Sequence, residues 1–260
     1  MNKISGVIIT YNEEKFIENC ILSIKDVVDE IVVLDSYSND KTEEICKKYN
    51  VKFFQNEFSG FTTQKNLASE KAENDFVLSL DADEELSEEL KSEVLKLKNN
   101  DFIFDGYSFN RLNNYCGKWI RHSNWYPDNK IRLYNRLKGK WVGENNIHEI
   151  IKLKANTKQG NIKGDLLHWA YQSNEEHYLK INKYAKIAAE NYVKNNKKRV
   201  SFFKIFINPF WKFFNNYFIK KGFLDGYYGF VICRFASIST FLKYIMIKEL
   251  QNKQDNEDRF

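Results

Sequence analysis

Short apolar runs alternate with segments of helical periodicity over the first 81 residues, and this alternation constrains the fold more than any other feature. Four runs have the length of buried strands, at residues 4–10, 30–34, 51–54 and 76–80. Helices are predicted between them, the first opening at Glu13, the second capped by Ser38 or Asn39, the third over residues 62–71. Strands that alternate with helices of about ten residues predict βαβ units, a parallel sheet and an α/β domain.

Polar side chains follow three of these strands where each strand ends. They are Thr10, Tyr11, Asn12 and Glu13 after the first, Asp35 after the second, and Asp81 and Asp83 after the fourth. In open α/β sheets, ligands bind outside the carboxyl ends of the strands, so these residues predict a binding site at one edge. Asp35 has the alternative of capping the turn that follows it. Neither a Gly-x-Gly-x-x-Gly nor a Gly-Lys-Ser/Thr motif follows the first strand, which excludes a dinucleotide-binding dehydrogenase and a P-loop enzyme.

Asp81 and Asp83 form an acidic doublet with an i, i+2 spacing. If the strand stays extended, both carboxylates lie on the same side and repel each other. A divalent ion that also holds a substrate phosphate would relieve this repulsion. The alternative is a helix N-terminus, because the acids of residues 81–89 also suit a helix dipole.

From residue 103 the pattern changes to short strands and aromatic loops. A hairpin is predicted over residues 106–120 with its turn at 113–114, and short strands at 130–134 and 140–142. Ser173 is expected to cap a long helix that ends near residue 195. This half could supply an acceptor pocket beside the acidic edge.

The segments at residues 7–14, 32–36, 64–66 and 78–85 resemble the N-terminal half of family 2 inverting glycosyltransferases with the GT-A fold. Residues 64–66, 166–171 and 222–226 resemble the bacterial branch that builds the lipopolysaccharide core, typified by β-1,4-glucosyltransferases. The resemblance implies a GT-A nucleotide-diphospho-sugar transferase fold, α/β with a mostly parallel central sheet. Residues 1–100 would form the nucleotide-sugar-binding half, 101–172 the acceptor-side half, and 173–260 an aromatic-rich helical extension.

The resemblance also implies roles for the residues of the donor site. The loop from Thr10 through Tyr11 and Asn12 to Glu13 would hold the base and ribose of a nucleotide sugar together with Asp35, and Lys65 and Ala82 would lie beside it. Asp81 would contact the ribose or the ion, Asp83 would bind Mg²⁺ or Mn²⁺, and His168 would complete the metal ligands. The expected donor is a UDP-sugar.

The resemblance also implies that Glu149 is the catalytic base, which would deprotonate an acceptor hydroxyl in a one-step displacement that inverts the anomeric centre. Glu144 is an alternative base, and His148 an alternative metal ligand or a buried histidine. His122 and His177 are expected at the surface or in packing. A sugar nucleotidyltransferase remains an alternative, although residues 10–14 lack its Gly-rich basic loop, and so does a non-catalytic nucleotide-sugar-binding protein.

The C-terminal part is aromatic and basic. Residues 201–247 contain 16 aromatic side chains, and residues 197–260 carry 12 Lys and Arg against 5 Asp and Glu. Between residues 201 and 221 a polar residue recurs every fourth position on an otherwise apolar helix, with Pro209 as a possible kink. These features predict that residues 201–250 bind an anionic membrane surface, the alternative being a helical pair that packs on the core or on a second subunit.

Other expectations concern the setting of the protein. Neither C-terminal helix has 18 uninterrupted apolar residues, so no spanning helix is expected. The four cysteines lie far apart, which argues against a zinc cluster or disulfides and fits a reducing compartment. With a first strand that begins at residue 4, we expect a cytoplasmic protein, peripheral on the inner face of the cytoplasmic membrane, that acts on a glycan or lipid-linked glycan. No nucleic-acid motif accompanies the aromatic residues.

Overall fold

The computed structural model describes residues 2–144, 147–195 and 199–257. The chain divides into two compact units, the first comprising Met1–Leu112 and Pro127–Trp169, the second Asn113–Tyr126 and Ala170–Phe260. The second unit thus includes the segment Asn113–Tyr126, which the resemblance grouped with the acceptor-side half. Strands β6 and β11, defined below, contribute residues to both units.

The strands are β1 (Ile4–Thr10), β2 (Glu30–Asp35), β3 (Lys52–Gln55), β4 (Phe76–Asp81), β5 (Glu84–Leu86), β6 (Gly106–Tyr115), β7 (Lys118–Ile120), β8 (Asp128–Asn135), β9 (Gly139–Glu144), β10 (Ile147–Leu153) and β11 (Gln159–Tyr171). The helices are α1 (Ile17–Ile24), α2 (Thr42–Lys47), α3 (Phe61–Glu70), α4 (Glu88–Asn99), α5 (Asn174–Asn195), α6 (Phe202–Phe214) and α7 (Gly226–Glu257).

The main sheet has the order β3-β2-β1-β4-β8-β6-β11-β5, with β7 paired to β6. The four strands predicted from the alternating pattern form its parallel half, in which β1 lies between β2 and β4. From β4 to β8 the pairing turns antiparallel, and β9 and β10 form a separate hairpin. The prediction of an α/β domain built on βαβ units is confirmed.

Both faces of the parallel half are covered, which explains why its strands are continuous apolar runs. On one face Ile17, Ile21 and Ile24 of α1 recur at helical spacing and are wholly buried. The close approach of α1 requires Gly6, because a methyl group there would lie 2.7 Å from Cδ1 of Ile24. The other face of the sheet packs against α3 and the β9–β10 hairpin. Ala68 of α3 and Trp141 and Ile151 of the hairpin belong to the same buried cluster on this face.

Two helix starts differ from the prediction. The first helix begins at Ile17 and not at Glu13, because the backbone N–H of Glu13 donates to the side-chain oxygen of Thr42 at 2.9 Å and belongs to the preceding loop. The second begins at Thr42, and Ser38 does not cap it, since its hydroxyl bonds Asp35 instead.

The acidic doublet lies in a turn. Strand β4 ends at Asp81, residues 82–83 turn, and β5 follows from Glu84. Helix α4 begins only at Glu88, where the Ser87 side chain accepts a hydrogen bond from the N–H of Leu90. The helix N-terminus considered for Asp81 and Asp83 is therefore wrong, and so is the extended conformation past the strand.

The second unit contains the C-terminal helices and the tip of the β6–β7 hairpin. The turn of this hairpin is Cys116-Gly117, where both residues have a positive φ, and not residues 113–114, which belong to β6. Ser173 caps α5 as predicted, accepting from the N–H of Glu176 at 3.1 Å. A π-helical turn (Asn215–Ile219) and a 3₁₀ turn (Gly222–Asp225) connect α6 to α7.

His177 is confirmed as a packing residue. Its ring lies 4.2 Å from the ring of Tyr171, its Nδ1 lies 3.0 Å from the hydroxyl of Tyr115, and burial lowers the pKa of His177 to about 4. His122 is half-buried, with Nδ1 at 3.0 Å from the carboxylate of Asp225.

Among the residues that the structure describes, one segment, Gly222–Asp255, is long and apolar enough to cross a membrane, with a mean hydropathy of 1.6 over 18 residues, of which 22% are buried. Arg234 interrupts the apolar run of this segment, as the expectation of no spanning helix requires. Length and composition alone do not decide whether the segment crosses a membrane, so the absence of a spanning helix stays a prediction.

Candidate active site

The carboxyl ends of three neighbouring strands meet at one edge of the sheet. Thr10 pairs with Asp35 across β1 and β2, and Ile9 pairs with Asp81 across β1 and β4. The loop after β1, Asp35 and the acidic turn are therefore brought together, as their positions at strand ends predict.

The loops after β1 and β2 are tied to each other. The N–H of Asn12 donates to the Ser38 hydroxyl at 2.8 Å, and the N–H of Asn39 donates to the Asn12 side chain at 2.9 Å. Tyr11 projects from this pair of loops and is exposed, whereas Thr10 is buried with its hydroxyl unpartnered. A fixed loop with an exposed aromatic ring is suited to contact a flat ligand.

Asp35 is fully buried at this edge. Its carboxylate accepts hydrogen bonds from the Ser38 N–H at 2.9 Å, from the Ser38 hydroxyl and from the Gln55 side chain at 3.3 Å. This is the turn-capping arrangement considered as the alternative, and both carboxylate oxygens are used within the protein. Contact of Asp35 with a base or ribose stays a prediction.

Asp81 lies between two buried cations. Its carboxylate is 2.8 Å from Nζ of Lys65 and 3.1 Å from Nη2 of Arg132. Burial by itself would raise the pKa of Asp81, but the charges of Lys65 and Arg132 outweigh it and hold that pKa well below its usual value. Both cations also lie over the ring of Trp141, at 4.4 and 5.2 Å.

Arg132 and Glu84 hold the acidic turn, and neither was predicted from the sequence as a site residue. Glu84 is fully buried, accepting from Nη2 of Arg132 at 2.6 Å through one oxygen and from the N–H of Asp81 at 3.1 Å through the other. Nε of Arg132 is buried without a partner. The available signal was a lone arginine between two apolar residues of β8, since such a buried charge needs a partner.

Asp83 faces His168 across the turn. The Asp83 carboxylate is 3.4 Å from Nε2 of His168, and the two side chains are 27% and 17% exposed. The relative position of their backbones is fixed, because β5 pairs with β11 and the Trp169 N–H donates to the Asp83 carbonyl at 3.1 Å. Ala82 between the acids is buried in the core.

A carboxylate next to an imidazole nitrogen is a pair of donors that a divalent ion can use, and the metal-binding roles of Asp83 and His168 stay predictions. Within residues 2–144, 147–195 and 199–257, no three His, Cys, Asp or Glu side chains are grouped as a metal site. Asp81, expected as a third ligand, is engaged by Lys65 and Arg132 instead.

Glu149 lies on β10, against Gly143 of β9 and Thr62 of α3. A methyl group at Gly143 would lie 3.1 Å from the Thr62 hydroxyl oxygen and 3.3 Å from Cγ of Glu149. Oε1 of Glu149 and the Thr62 hydroxyl are both buried without a hydrogen-bond partner. This carboxylate oxygen therefore has an unused acceptor position, and the role of Glu149 as a base stays a prediction. The side chains of Glu144 and His148, the alternatives, lie outside the described residues.

The family profile described as "Glycosyl transferase family 2" matches residues 5–157 of the chain. An uncharacterized glycosyltransferase of Rickettsia typhi is 33% identical over 270 residues, covering 98% of this chain and 90% of the relative. The lipopolysaccharide core biosynthesis glycosyltransferase LpsC of Rhizobium meliloti is 29% identical over 245 residues, covering 92% of this chain and 89% of LpsC.

Among solved structures, that of S. aureus TarS covers 97% of this chain and 92% of its own, with a TM-score of 0.44 and 17% identity. The family match includes the loop after β1, the acidic turn and Glu149. The α/β sheet with its parallel half is the GT-A fold that the resemblance implied. The chain belongs to the family 2 glycosyltransferases.

Proposed function

We propose that this glycosyltransferase moves a hexose from a UDP-sugar to a glycan of the lipopolysaccharide core, or to another lipid-linked glycan, with inversion at the anomeric carbon. The observation that carries the proposal is the meeting of Asp83 with His168 beside the cations of Lys65 and Arg132. Asp81 and Glu84 already balance the charges of the two cations. A divalent ion on Asp83 and His168 would therefore supply the positive charge that a sugar diphosphate requires.

Lys65 and Arg132 are the groups suited to the diphosphate. In the free protein both are paired to Asp81, and Nε of Arg132 has no acceptor. A buried N–H without an acceptor is costly, and a phosphate oxygen would satisfy it. The Thr10–Glu13 loop would hold the nucleoside, with the exposed ring of Tyr11 against the base.

Asp83 and His168 would hold the divalent ion. As a Lewis acid, the ion would neutralise the negative charge that develops on the departing diphosphate. Glu84 and Arg132 keep the turn that carries Asp83 in its conformation. The protein groups are thus fixed before the donor arrives, so binding costs little reorganisation.

Glu149 would act as the general base. The unpartnered Oε1 of Glu149 would accept the proton of the acceptor hydroxyl. At the same time the oxygen of that hydroxyl would form the bond to the anomeric carbon. Attack from the face opposite the departing diphosphate gives the inverted product. The hydroxyl of Thr62, which lies near Glu149 and also has no hydrogen-bond partner, would orient the hydroxyl of the acceptor.

The proposed acceptor is membrane-anchored, and the protein would work at the inner face of the cytoplasmic membrane. The similarity to LpsC supports an acceptor of the lipopolysaccharide core class. Helix α6 also supports it, because its exposed side is the apolar one, with Phe203, Phe210 and Trp211 at the surface. Such a face suits the interfacial region of an anionic bilayer.

The test is a donor screen that measures UDP and pyrophosphate separately. With Mn²⁺ and a membrane-glycan acceptor, one UDP-sugar should yield UDP and no pyrophosphate, and Asp83→Ala should abolish this release. Asp101→Ala, which removes an exposed acid elsewhere in the same unit, should release UDP at the normal rate. Pyrophosphate release would identify a nucleotidyltransferase, and donor binding without any release would identify a non-catalytic binding protein.

A further inference from the structure

A groove of about 510 Å³ lies between α6 and α7 in the second unit. Its walls are almost entirely apolar and include Phe206, Phe210 and Ile238. The hydroxyl of Ser237 in the groove is already used, since it donates to the carbonyl oxygen of Pro209 at 2.8 Å. Among the described residues that line the groove, Arg234 is the one that carries a charge.

The two helices give Arg234 no acidic partner. Helix α6 contains no acid, and the first acid along α7 is Glu249, 15 residues beyond Arg234 and thus about 22 Å away along the helix. Over residues 201–248 the chain has seven Lys and Arg and one acid, Asp225. Asp225 is buried and accepts from the N–H groups of Arg121 at 3.2 Å and His122 at 2.9 Å.

Arg234 is exposed where it lines the apolar groove, so its guanidinium is accessible to an anion from outside the chain. The planar guanidinium matches a phosphate through two parallel hydrogen bonds. An apolar channel next to that phosphate gains free energy by taking hydrocarbon out of water.

We propose that the groove between α6 and α7 binds an anionic phospholipid, with one acyl chain along Phe206, Phe210 and Ile238 and the phosphate at Arg234. This lipid site would make the proposed membrane association specific for one kind of lipid, and it rests on that part of the proposed function. The bound lipid would add a specific anchor to the general affinity of the exposed aromatic face.

The surroundings of the groove favour a lipid over a soluble anion or a protein partner. Phe202, Phe203 and Trp211 are exposed on the same helix, and aromatic side chains of this kind concentrate at the level of lipid headgroups. The seven cations of residues 201–248 complement an anionic surface.

The first experiment compares Arg234→Gln with Lys243→Gln in the full chain. Both remove one positive charge from α7, but Lys243 does not line the groove. Partition is measured on vesicles of phosphatidylcholine with and without phosphatidylglycerol. Arg234→Gln should lower the partition coefficient on phosphatidylglycerol vesicles at least tenfold. Lys243→Gln should lower it by about fivefold or less, the effect of one charge near the surface.

The second experiment fills the groove and keeps its charge. Ile238→Trp, checked for unchanged circular dichroism, should lose the phosphatidylglycerol that native mass spectrometry detects on the wild-type protein. Retention of that lipid by Ile238→Trp, or equal effects of Arg234→Gln and Lys243→Gln, would overturn the lipid site. So would a lipid-free dimer in analytical ultracentrifugation that Arg234→Gln dissociates, because the groove would then be an interface between two copies.

The outcomes separate this inference from the proposed function. Wild-type protein that ignores anionic vesicles would refute both the membrane association and the lipid site. Wild-type protein that binds them without regard to Arg234 would refute the lipid site alone. Donor binding, followed by thermal shift with UDP-sugars in the absence of lipid, should be the same for Arg234→Gln and the wild type.

Discussion

At the scale of single residues, Asp81 has the most unusual surroundings in the site. Lys65 and Arg132 flank its carboxylate, and Glu84 bonds both the Asp81 N–H and Arg132. The opposite charges are matched within the free protein, which keeps the cations ionised and oriented. Burial alone would lower the pKa of Arg132, but Glu84 and Asp81 outweigh it and raise that pKa.

Replacing Asp81 with asparagine should remove a pH-dependent part of the stability. The pKa of Asp81 in the folded state lies below its unfolded value of about 3.9, so its contribution is complete above that value and is lost as the pH falls towards the folded-state pKa. At pH 7, Asp81→Asn should be less stable by about 3 kcal/mol because two buried cations lose a partner. Urea unfolding at stepwise lower pH should show the gap closing below about pH 4. A gap that stays constant with pH would contradict this.

Replacing Glu149 with glutamine should slow transfer by about 10²–10⁴-fold, because the amide cannot accept the proton of the acceptor. The donor dissociation constant should change less than about twofold, since Glu149 serves the acceptor side. Transfer of a radiolabelled sugar measures the rate, and isothermal titration measures donor binding. Glu144→Gln is the matched control and should keep its activity. If Glu144→Gln is the inactive variant and Glu149→Gln turns over normally, the base is Glu144.

The sequence predicted the acids of the site better than the groups that hold them. Asp81 and Asp83 lie at a strand end with the i, i+2 spacing of an acidic doublet. Arg132, about 50 residues later in the chain, reaches Asp81 only because β8 pairs antiparallel with β4. That register depends on long-range packing, so the lone arginine between apolar residues of β8 indicated a buried charge but not which acid would pair with it. The capping of Asp35 was foreseeable as an alternative, since a serine three residues on is a common partner for such a carboxylate.

At the scale of elements, the connection between α6 and α7 and the first turn of α7 require glycine at three positions, each for a different steric reason. A methyl group at Gly222 would lie 2.6 Å from the Ser123 hydroxyl oxygen, and one at Gly229 would lie 1.9 Å from the carbonyl oxygen of Gly222. Gly226 has a positive φ of 64°. Asp225 between them binds two backbone N–H groups of the segment after β7. The motif that resembled a bacterial branch thus has a structural role in the second unit.

Gly229→Ala should destabilise the protein by about 3 kcal/mol or more, because a backbone carbonyl cannot move aside as a side chain can. Gly117→Ala is the matched control in the same unit, since no atom lies within 4 Å of the added methyl group. Its cost should be limited to the strain of a positive φ, about 1 kcal/mol. Chemical denaturation of both variants checks the difference. Equal losses would contradict the close approach at Gly229.

Element positions were predictable where periodicity was strong, and less so where side chains compete with the backbone. The four parallel strands and α5 follow their sequence patterns closely. The hairpin turn was misassigned because Asn113-Asn114 has turn chemistry, yet Cys116-Gly117 adopts the paired positive φ values that a two-residue turn needs. The predicted polar stripe runs from α6 into the π-helical turn, where Asn216 is buried, while the aromatic side of α6 is exposed.

At the scale of the whole molecule, the chain combines a glycosyltransferase core with a second unit whose apolar side chains face outward. Phe203 is 72% exposed and Trp211 56%, both on α6. Large exposed apolar patches on soluble proteins mark interaction sites. Family membership was evident from the sequence because the motifs of the core are local, whereas the orientation of α6 was not, since it depends on which side packs against α7.

Phe203→Ser combined with Trp211→Ser should lower the partition of the protein onto anionic vesicles at least about tenfold, because each aromatic side chain contributes roughly 1.5–3 kcal/mol when it leaves water. Leu137→Ser is the matched control, since Leu137 is 53% exposed but lies in the first unit. Vesicle co-sedimentation measures both. A double variant that binds as well as the wild type would mean that α6 does not meet the bilayer.

The binding of Mn²⁺ in the presence of UDP tests the central claim most directly. Electron paramagnetic resonance reports free Mn²⁺, so a titration gives the bound fraction for the wild type and for Asp83→Asn. We expect tight binding by the wild type only when UDP is present, and at least tenfold weaker binding by Asp83→Asn. Mn²⁺ that binds Asp83→Asn and the wild type equally, with or without UDP, would contradict the account.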